Sequence, residues 1–579
     1  MSEILKLYDY QEECVKILDT KSKGIVCLPT GTGKTLIQAT IIANDIIQHP
    51  NTFNLYVINA PRIMLSYQLM KEVYSYLVNN HIEARYMCVH SGGQADMEEL
   101  EKIRVESNQM SDETIPFSEI ENGTSPALIR EMILKAKNQN LPLVLFSTYN
   151  SADRIEDARF NITVEQEKEY TLNTPKPLQE DFGYMDEGCF QGWVNSEDED
   201  AYLDELRKWE RQNHKAKLQI PVNTPTTYDK IEIVVNDEAH YLIQERFYNI
   251  LEILKSNRCY FFTATTINSP SDKGRGMNNV ESYGEIIYMM TPREAIDRGK
   301  MVRPRLHFLL SYGTTYTIND YETSLGVIIE ESFLQHQYVL KGVNPKVLVS
   351  VKGVGDIKRF FEGKEYKKMI RNGTTIYAVA SDESIGNDIN GEKVTRQVFL
   401  NRLKIDGRDR SKRLVVLHYD ILAEGIDISG FTGILPLRTL TKSKFLQTYG
   451  RAARLDYDDR QRLESGEIKP NDLSEFVKPY AWVIVPAIIH ENADNKEHIG
   501  NLITELRSYG FSPTDDVIIT DDTNGLPTIM GPESLNQLKK KSPNIGSYIE
   551  KVEAEYEDER IAQLNETEWL DKVINDLKD

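Results

Sequence analysis

A glycine loop that is followed by a lysine and a threonine stands directly after a short apolar run near the start of the chain. Gly31 and Gly33 allow the backbone to turn with its N–H groups facing inward, where they can cradle a phosphate at the start of a helix. Lys34 would reach the β- and γ-phosphates, and the hydroxyl of Thr35 would ligate Mg²⁺. The pattern predicts a nucleoside triphosphate site. Its binding residues are Pro29, Thr30, Gly31, Thr32, Gly33, Lys34 and Thr35.

An acidic pair follows a predicted buried strand in the tetrapeptide D-E-A-H. Asp237 would hold Mg²⁺ through water, and Glu238 would orient and deprotonate the attacking water. His240 is placed to link the triphosphate to the next element. The hydroxyls of Thr263 and Thr265, on the following strand, could sense the metal site. This constellation predicts hydrolysis of the bound triphosphate.

Gln11 lies in an amphipathic helix just before the glycine loop, next to an aromatic residue. Its side-chain amide could read the edge of an adenine by a bidentate contact. We therefore predict that the nucleotide is ATP.

Polar residues follow the other apolar strands of the first half of the chain. The carboxyl ends of parallel strands face one edge of a sheet, where ligands bind in open α/β folds. Donors at such an edge can hold nucleic-acid phosphates without reading bases. The residues predicted to do so are Pro61, Arg62, Gln68, Thr148, Tyr149 and Ser151.

The glycine loop, D-E-A-H and T-A-T, in this order, resemble the first motor domain of superfamily 2 helicases. In the second half, predicted strands alternate with helical stretches, as a second RecA-like domain requires. E-G-I-D, which contains Gly425 and Asp427, resembles the fifth motif of this family and implies two further ATP-binding residues. Q-T-Y-G-R-A-A-R at 447–454 resembles the sixth motif.

Gln447, Arg451 and Arg454 fall at i, i+4 and i+7, so on a helix they share one face. The resemblance implies that Arg451 and Arg454 meet the γ-phosphate across a cleft between the two domains, which couples hydrolysis to closure of the cleft. The predicted catalytic residues are Lys34, Asp237, Glu238, Gln447, Arg451 and Arg454. The predicted nucleic-acid contacts of the second domain are Lys352, Tyr419, Arg438 and Ser443.

The run R-T-L-T-K-S at 438–443 and the apolar strand at 479–486 look most like the motor subunits of type I and type III restriction enzymes and like phage DNA repair helicases. The predicted fold is α/β, with two tandem RecA-like domains built on parallel sheets. Residues 1–300 would form the first domain, with an insertion at 152–230, and residues 301–490 the second. Residues 491–579 would form a mainly helical accessory region. The insertion or this region could dock a protein partner.

Composition limits the remaining classes. A net charge of −21 over 579 residues argues against a general basic coat, so a nucleic-acid track would be a local groove. No apolar run approaches the roughly 20 residues of a membrane span, and the five cysteines contain no C-x-x-C pair. We expect a protein of the cytoplasm of a bacterial or phage-infected cell that has no membrane association.

The leading hypothesis is an ATP-dependent DNA helicase or translocase that uses ATP and Mg²⁺ and acts on single-stranded or branched DNA. An RNA helicase shares every motif named above and remains an alternative. A second alternative, from another class, is a nucleotide-switched DNA-binding subunit of a restriction or phage-defence complex that does not unwind DNA.

Overall fold

The protein is seen here in a computed structural model. It describes residues 7–91, 120–159, 176–218 except 183, 187–188 and 193–195, 230–311, 324–419 except 381 and 383, 430–488 except 439, 441 and 471, and then 506 and 517–521.

The first half of the chain builds a sheet in which eight strands are described, all of them parallel, in the order β10-β1-β9-β8-β2-β5-β3-β4. These strands are β1 (Lys23–Cys27), β2 (Leu55–Ala60), β3 (Arg85–Val89), β4 (Glu121–Asn122), β5 (Leu143–Thr148), β8 (Ile231–Asp237), β9 (Ser256–Thr263) and β10 (Ile286–Met289). Every residue of β2 and of β5 is buried. Continuous apolar runs of this kind are typical of parallel strands that are covered on both faces. We call this sheet and its helices the first lobe.

Helices cover both faces of the first sheet and form two apolar clusters with it. They are α1 (Asp9–Leu18), α2 (Lys34–Gln48), α3 (Ile63–Asn79), α4 (Pro126–Gln139), α5 (Ala152–Arg159), α7 (Glu245–Tyr248), α8 (Ile250–Ile253), α9 (Val280–Tyr283) and α10 (Pro292–Asp297), with a 3₁₀ helix at Ala239–Ile243.

The second lobe is built on a sheet in which nine strands are described, in the order β15-β14-β13-β16-β12-β17-β18-β11-β19. The strands are β11 (Arg303–Ser311), β12 (Lys346–Ser350), β13 (Thr374–Val379), β14 (Asn387–Ile389), β15 (Glu392–Lys393), β16 (Arg413–His418), β17 (Gly433–Pro436), β18 (Tyr480–Ile488) and β19 (Val517–Asp521). All pairs are parallel except the β13-β14-β15 meander at one edge. Its helices are α11 (Ser324–Val339), α12 (Val354–Glu362), α13 (Lys364–Arg371), α14 (Arg396–Arg408), α15 (Lys442–Ala452) and α16 (Tyr457–Glu464). The predicted α/β fold with two tandem parallel sheets is confirmed.

The predicted start of the insertion needs correction. Residues 152–159 were assigned to the insertion, but they form α5, whose Ala152, Ile155 and Ala158 are buried in the core of the first lobe. The described part of the insertion therefore begins later, with a 3₁₀ turn at Gln179–Asp181, the hairpin β6 (Tyr184–Asp186) and β7 (Cys189–Gly192), and α6 (Ser196–Leu218).

Of the region after residue 490, which is predicted to be mainly helical, the structure describes residue 506 and β19, and β19 pairs in parallel with β11 at the edge of the second sheet. The other residues of this region lie outside the described part of the chain.

On α6, Tyr202 is buried and packs edge-on against Phe182 of the same insertion at 5.8 Å. Arg207 and Lys208 pair with acids one turn earlier on α6, at 3.0 and 3.1 Å. In the described parts of the chain, no helix combines the length and the hydrophobicity that crossing a bilayer requires.

Histidines are buried in both lobes, and their burial predicts a loss of stability in acid. Burial lowers the pKa of His307 and of His418 to about 3 and the pKa of His90 to about 4, below the ordinary 6.5. The unfolded chain therefore binds more protons than the folded one between these values and pH 6.5. Stability is retained above pH 6.5 and falls as the pH falls below it, by about 2 kcal/mol at pH 5 for each of His307 and His418.

The measurement is the midpoint of thermal unfolding at pH 7.5 and pH 5. His336, which is buried and stacks on Trp482 at 4.2 Å, also has a lowered pKa because of burial. His336→Phe keeps an aromatic ring and should reduce the loss between the two pH values. The control is His49→Phe, at a side chain that is half exposed, and it should leave the loss in thermal midpoint between pH 7.5 and pH 5 unchanged. Equal midpoints at pH 7.5 and pH 5 would refute the prediction.

Candidate functional site

The glycine loop joins β1 to α2. Gly31 and Gly33 have φ angles of +89° and +78°, a region that other residues enter only with strain. Gly33 is the N-cap of α2, so the first N–H groups of this helix open toward the loop. The ammonium of Lys34 donates to the carbonyl of Leu28 at 3.2 Å, within the loop itself. This is the geometry of an anion seat at a helix N-terminus.

The loop is supported from behind by α1. The hydroxyl of Tyr10 donates to the carbonyl of Thr32 at 2.6 Å, and the amide of Gln11 donates to the same carbonyl at 3.2 Å. A Cβ atom at Gly33 would lie 2.5 Å from Nε2 of Gln11, so this contact requires glycine.

Gln11, which is predicted to read adenine, is placed by the structure directly behind the glycine loop. Gln11 is 1% exposed, and its carbonyl oxygen already accepts the backbone N–H of Tyr8 at 3.0 Å. Both ends of the amide are therefore engaged, and the side chain stabilises the shape of the loop.

The acidic pair lies at the carboxyl end of β8, opposite the loop. Glu238 has a left-handed backbone with φ +48°, which turns its side chain out of the strand direction. Asp237 accepts a hydrogen bond from the amide of Gln38 at 2.8 Å. Burial and then the charge of Glu238 raise the pKa of Asp237, whereas Lys34 and Gln38 act in the opposite direction. A cation beside Asp237 and Glu238 would offset the cost of keeping both buried carboxylates ionised.

Below the acidic pair, His240 connects β8 to β9. Its Nδ1 lies 3.1 Å from the hydroxyl of Thr263 and 3.5 Å from a carboxylate oxygen of Glu238. The hydroxyl of Thr263 in turn donates to the carbonyl of Thr265 at 2.7 Å. Burial lowers the pKa of His240, which favours the neutral ring. A continuous set of contacts therefore runs from Glu238 to the T-A-T segment.

Helix α15 of the second lobe packs against the glycine loop of the first. A Cβ at Gly450 would lie 3.0 Å from Cβ of Thr30, so the approach of α15 depends on a glycine. A Cβ at Gly31 would lie 3.5 Å from Cγ and 3.7 Å from Nε of Arg454. Arg454 of the second lobe therefore lies beside the loop of the first, although the two are far apart in the sequence.

A cavity of about 1300 Å³ lies between the lobes at this contact. Among the predicted site residues, it is lined from the first lobe by Thr30, Gly31, Gly33, Lys34, Thr35, Asp237 and Glu238, and from the second lobe by Gln447, Arg451 and Arg454. Burial, followed by the charge of Arg460, lowers the pKa of the Arg454 guanidinium. Acceptors for a cation and donors for an anion therefore face the same space.

The first-lobe residues predicted to contact nucleic acid divide into two groups. The cavity is also lined by Pro61, Arg62, Gln68, Thr148 and Ser151. Tyr149 is different, and its prediction as a nucleic-acid contact is wrong. It is 2% exposed, its hydroxyl donates to the carbonyl of Asp237 at 2.6 Å, and its ring packs on Phe247. Its position after β5 turns it into the core, where it supports the acidic pair.

Three of the second-lobe predictions stand at or near strand ends of that sheet. Lys352 is exposed after β12, and the guanidinium of Arg438 lies over the ring of Tyr419 at 4.8 Å from its centre. Ser443 lies on α15, but its side chain is outside the described part of the structure, as are Gly425 and Asp427.

Sequence reasoning missed three residues of the cavity region. Gln38 is fully buried and holds Asp237, and its Oε1 accepts no hydrogen bond among the described residues. A polar residue one turn after Lys34 on an otherwise apolar helix was the available signal. Tyr10 and Arg460 carried no comparable signal, because their roles arise from contacts with distant segments.

The two lobes are each built on a parallel sheet, with the cavity between them. This fold is that of a tandem RecA-like protein. Residues 4–268 match the family model described as "Type III restriction enzyme, res subunit". The match covers most of the first lobe. The resemblance to superfamily 2 helicases and restriction-enzyme motor subunits, predicted from the motifs, is confirmed.

Two solved structures resemble the whole chain. The ATP-dependent Type ISP restriction-modification enzyme LlaBIII bound to DNA aligns with a TM-score of 0.57 at 15% identity, over 94% of this chain and 33% of that chain. A nuclease-deletion mutant of the Type ISP enzyme LlaGI in complex with a DNA substrate mimic aligns with a TM-score of 0.50 at 15% identity, over 99% and 34%. The chain thus spans about a third of the length of these enzymes. No curated protein matches it.

Together, the family match and the fold support a superfamily 2 helicase-type ATPase motor.

Proposed function

We propose that the chain hydrolyses ATP in the cleft between its lobes and uses the closing of this cleft to move along DNA, unwinding or remodelling it. The observation that carries the proposal is the position of Arg454 beside the loop at Gly31, in the cavity that Lys34 and Glu238 also line. An arginine supplied across a cleft stabilises the transferring phosphoryl group only when the cleft is closed. Turnover and relative movement of the lobes are then obligatorily linked.

The roles within the cleft follow from the chemistry of each side chain. The loop N–H groups and Lys34 bind the phosphates, and Glu238 takes the proton of the attacking water. Arg451 and Arg454 stabilise the charge of the transition state, and Gln447 lies on the same helix face. The oxygen donors of Thr35 and Asp237 suit Mg²⁺, which would neutralise charge on the β- and γ-phosphates.

The nucleic-acid track is proposed to run along the carboxyl edges of the two sheets. Arg62, Thr148 and Ser151 belong to the first lobe, and Lys352 and Arg438 belong to the second. Because both edges border the cleft, its closure would change the spacing between the two sets of phosphate contacts. Separating one base-pair step costs about 1.4 kcal/mol, so a grip on several phosphates is sufficient for unwinding. Movement along DNA would result from repeated release and renewal of this grip.

DNA is preferred over RNA as the substrate because the two Type ISP restriction-modification enzymes, which align over 94% and 99% of this chain, are described with DNA or a DNA substrate mimic. The net charge of −21 restricts phosphate contacts to this local track, so binding should be strongly salt-dependent. If about six phosphates are contacted, the affinity should fall by roughly 10³-fold between 50 and 200 mM salt.

The deciding experiment measures ATP hydrolysis without nucleic acid and with single-stranded, duplex, forked and four-way DNA, alongside RNA of matched sequence. We expect DNA to stimulate turnover and single-stranded or branched forms to stimulate it most. Strand displacement is measured on the forked substrate. Equal turnover with and without nucleic acid would refute the proposal. Stimulation by RNA alone would show that the substrate is RNA and not DNA. Stimulated turnover with neither displacement nor translocation would indicate a nucleotide-switched binding subunit.

A further inference from the structure

Lys478 is a buried cation that takes no part in the roles described so far. It precedes β18, is 2% exposed, and lies under the end of α15. Its ammonium donates to the carbonyls of Phe431 at 3.1 Å and of Ala452 at 2.8 Å, and also to the carbonyl of Arg454. An ammonium has three donors, so all three are used.

Two of these carbonyls belong to the segment that carries Arg454. Ala452 is the last residue of α15, where carbonyl groups have no partner within the helix and carry the negative end of its dipole. The carbonyl between them, that of Ala453, accepts the backbone N–H of Val302 at 2.8 Å. The backbone from 452 to 454 is therefore held at three consecutive carbonyls, two of them by Lys478.

Lys478 is itself held in place by Asp459 of α16. This carboxylate is fully buried and accepts the backbone N–H of Val477 at 2.7 Å and that of Lys478 at 2.9 Å. Burial is the main reason that the pKa of Lys478 is lowered to about 7. Asp456 and Asp459 of α16 oppose this change, and Arg454 and Lys346 contribute to it. The ammonium therefore sits in a site of backbone dipoles and two nearby carboxylates.

We propose that Lys478 is a positioning residue for Arg454, which fixes the end of α15 so that the guanidinium meets the phosphate loop in a set orientation. The inference rests on the proposed function, since it assigns Lys478 no contact with the nucleotide. Loss of the ammonium leaves three buried carbonyls without a donor, and the segment can shift. A misplacement of about 1 Å in a catalytic group can cost on the order of 10²-fold in rate.

The test compares Lys478→Met with Lys346→Met. Lys346, on β12, is the control because it is equally buried and its ammonium donates to the carbonyl of Gly407 at 2.7 Å, which belongs to α14 and not to the segment that carries Arg454. Its charge is the last of the causes that lower the pKa of Lys478. We expect Lys478→Met to lower kcat of ATP hydrolysis by on the order of 10- to 100-fold, with KM for ATP changed less than about twofold. Lys346→Met should lower stability to a similar extent and leave kcat near the wild-type value. An equal loss of kcat in both variants would refute the inference.

A double-mutant cycle with Arg454→Ala tests whether Lys478 changes kcat through Arg454. If Lys478 acts through Arg454, then Lys478→Met should cause no further loss in the Arg454→Ala background. Full multiplication of the two losses would overturn the inference and leave the proposed function standing. An Arg454→Ala variant with wild-type turnover would instead refute the proposed function of the cleft.

A milder variant keeps the inference testable if Lys478→Met does not fold. Asp459→Asn retains the shape of the side chain and weakens its hold on the Lys478 backbone. We expect a smaller loss of kcat in the same direction, again absent in the Arg454→Ala background. An unchanged kcat in a variant whose thermal midpoint has fallen would count against the positioning role.

Discussion

Replacing Glu238 by glutamine is expected to reduce ATP turnover by on the order of 10²- to 10⁴-fold, while the nucleotide still binds. Glu238 lines the cavity that also contains Lys34 and Arg454, and its Oε2 lies 3.5 Å from Nδ1 of His240. The side chain therefore borders the space in which the attacking water would lie and can accept its proton. An amide of the same shape cannot do so, whereas the loop that holds the phosphates is unchanged.

The measurement pairs steady-state hydrolysis with equilibrium binding of a fluorescent ATP analogue. Glu232→Gln is the matched control, because Glu232 lies near the other end of β8 and pairs with Arg258 at 3.1 Å, away from the cavity. We expect its turnover to remain near the wild-type value. Substantial hydrolysis by Glu238→Gln would show that another group deprotonates the water.

The second large effect is expected for Lys34→Ala, which should weaken ATP binding by on the order of 10- to 100-fold through the loss of a charge-assisted hydrogen bond to phosphate. Turnover should fall further than binding, because the lysine also stabilises charge that develops in the transition state. In the structure its ammonium donates to the Leu28 carbonyl, at the position from which it can turn to a phosphate in the loop.

Lys23→Ala provides the control for this substitution. Lys23 begins β1, at the opposite end of the strand that leads into the loop, and it donates to the carbonyl of Glu281 at 2.7 Å. We expect ATP affinity close to that of the wild type. The prediction for Lys34 would be wrong if saturating ATP restored full turnover to Lys34→Ala.

Much of the architecture was accessible from the chain alone. Short apolar runs bounded by polar residues mark β2, β5, β12 and β16 in the sequence, because strands buried on both faces must be apolar throughout. The edges of the fold were harder. Helix α5 was assigned to the insertion, and β19 was not predicted, since each depends on packing with a distant segment rather than on a local pattern.

Individual side chains show the same division. The glycine loop and the acidic pair were recognisable because their chemistry requires certain residue types at fixed spacing, and these residues line one cavity. Tyr149 stands at the end of β5 together with Thr148 and Ser151, but those two line the cavity whereas the ring of Tyr149 packs on Phe247. Residues so close together in the chain have different surroundings because of what packs against them.

The sequence by itself determined the order of the motifs, the two parallel sheets and the residues that can bind phosphate, since these depend on residue type and short-range spacing. Only the tertiary structure decided that Gln11 supports the glycine loop, that Arg454 lies beside Gly31 across the cleft, and that Lys478 holds the end of α15. The contacts of Gln11 and Lys478 join different elements within one lobe, whereas Arg454 and Gly31 belong to different lobes. No local spacing specifies such pairs, because they form only when the elements that carry them have packed.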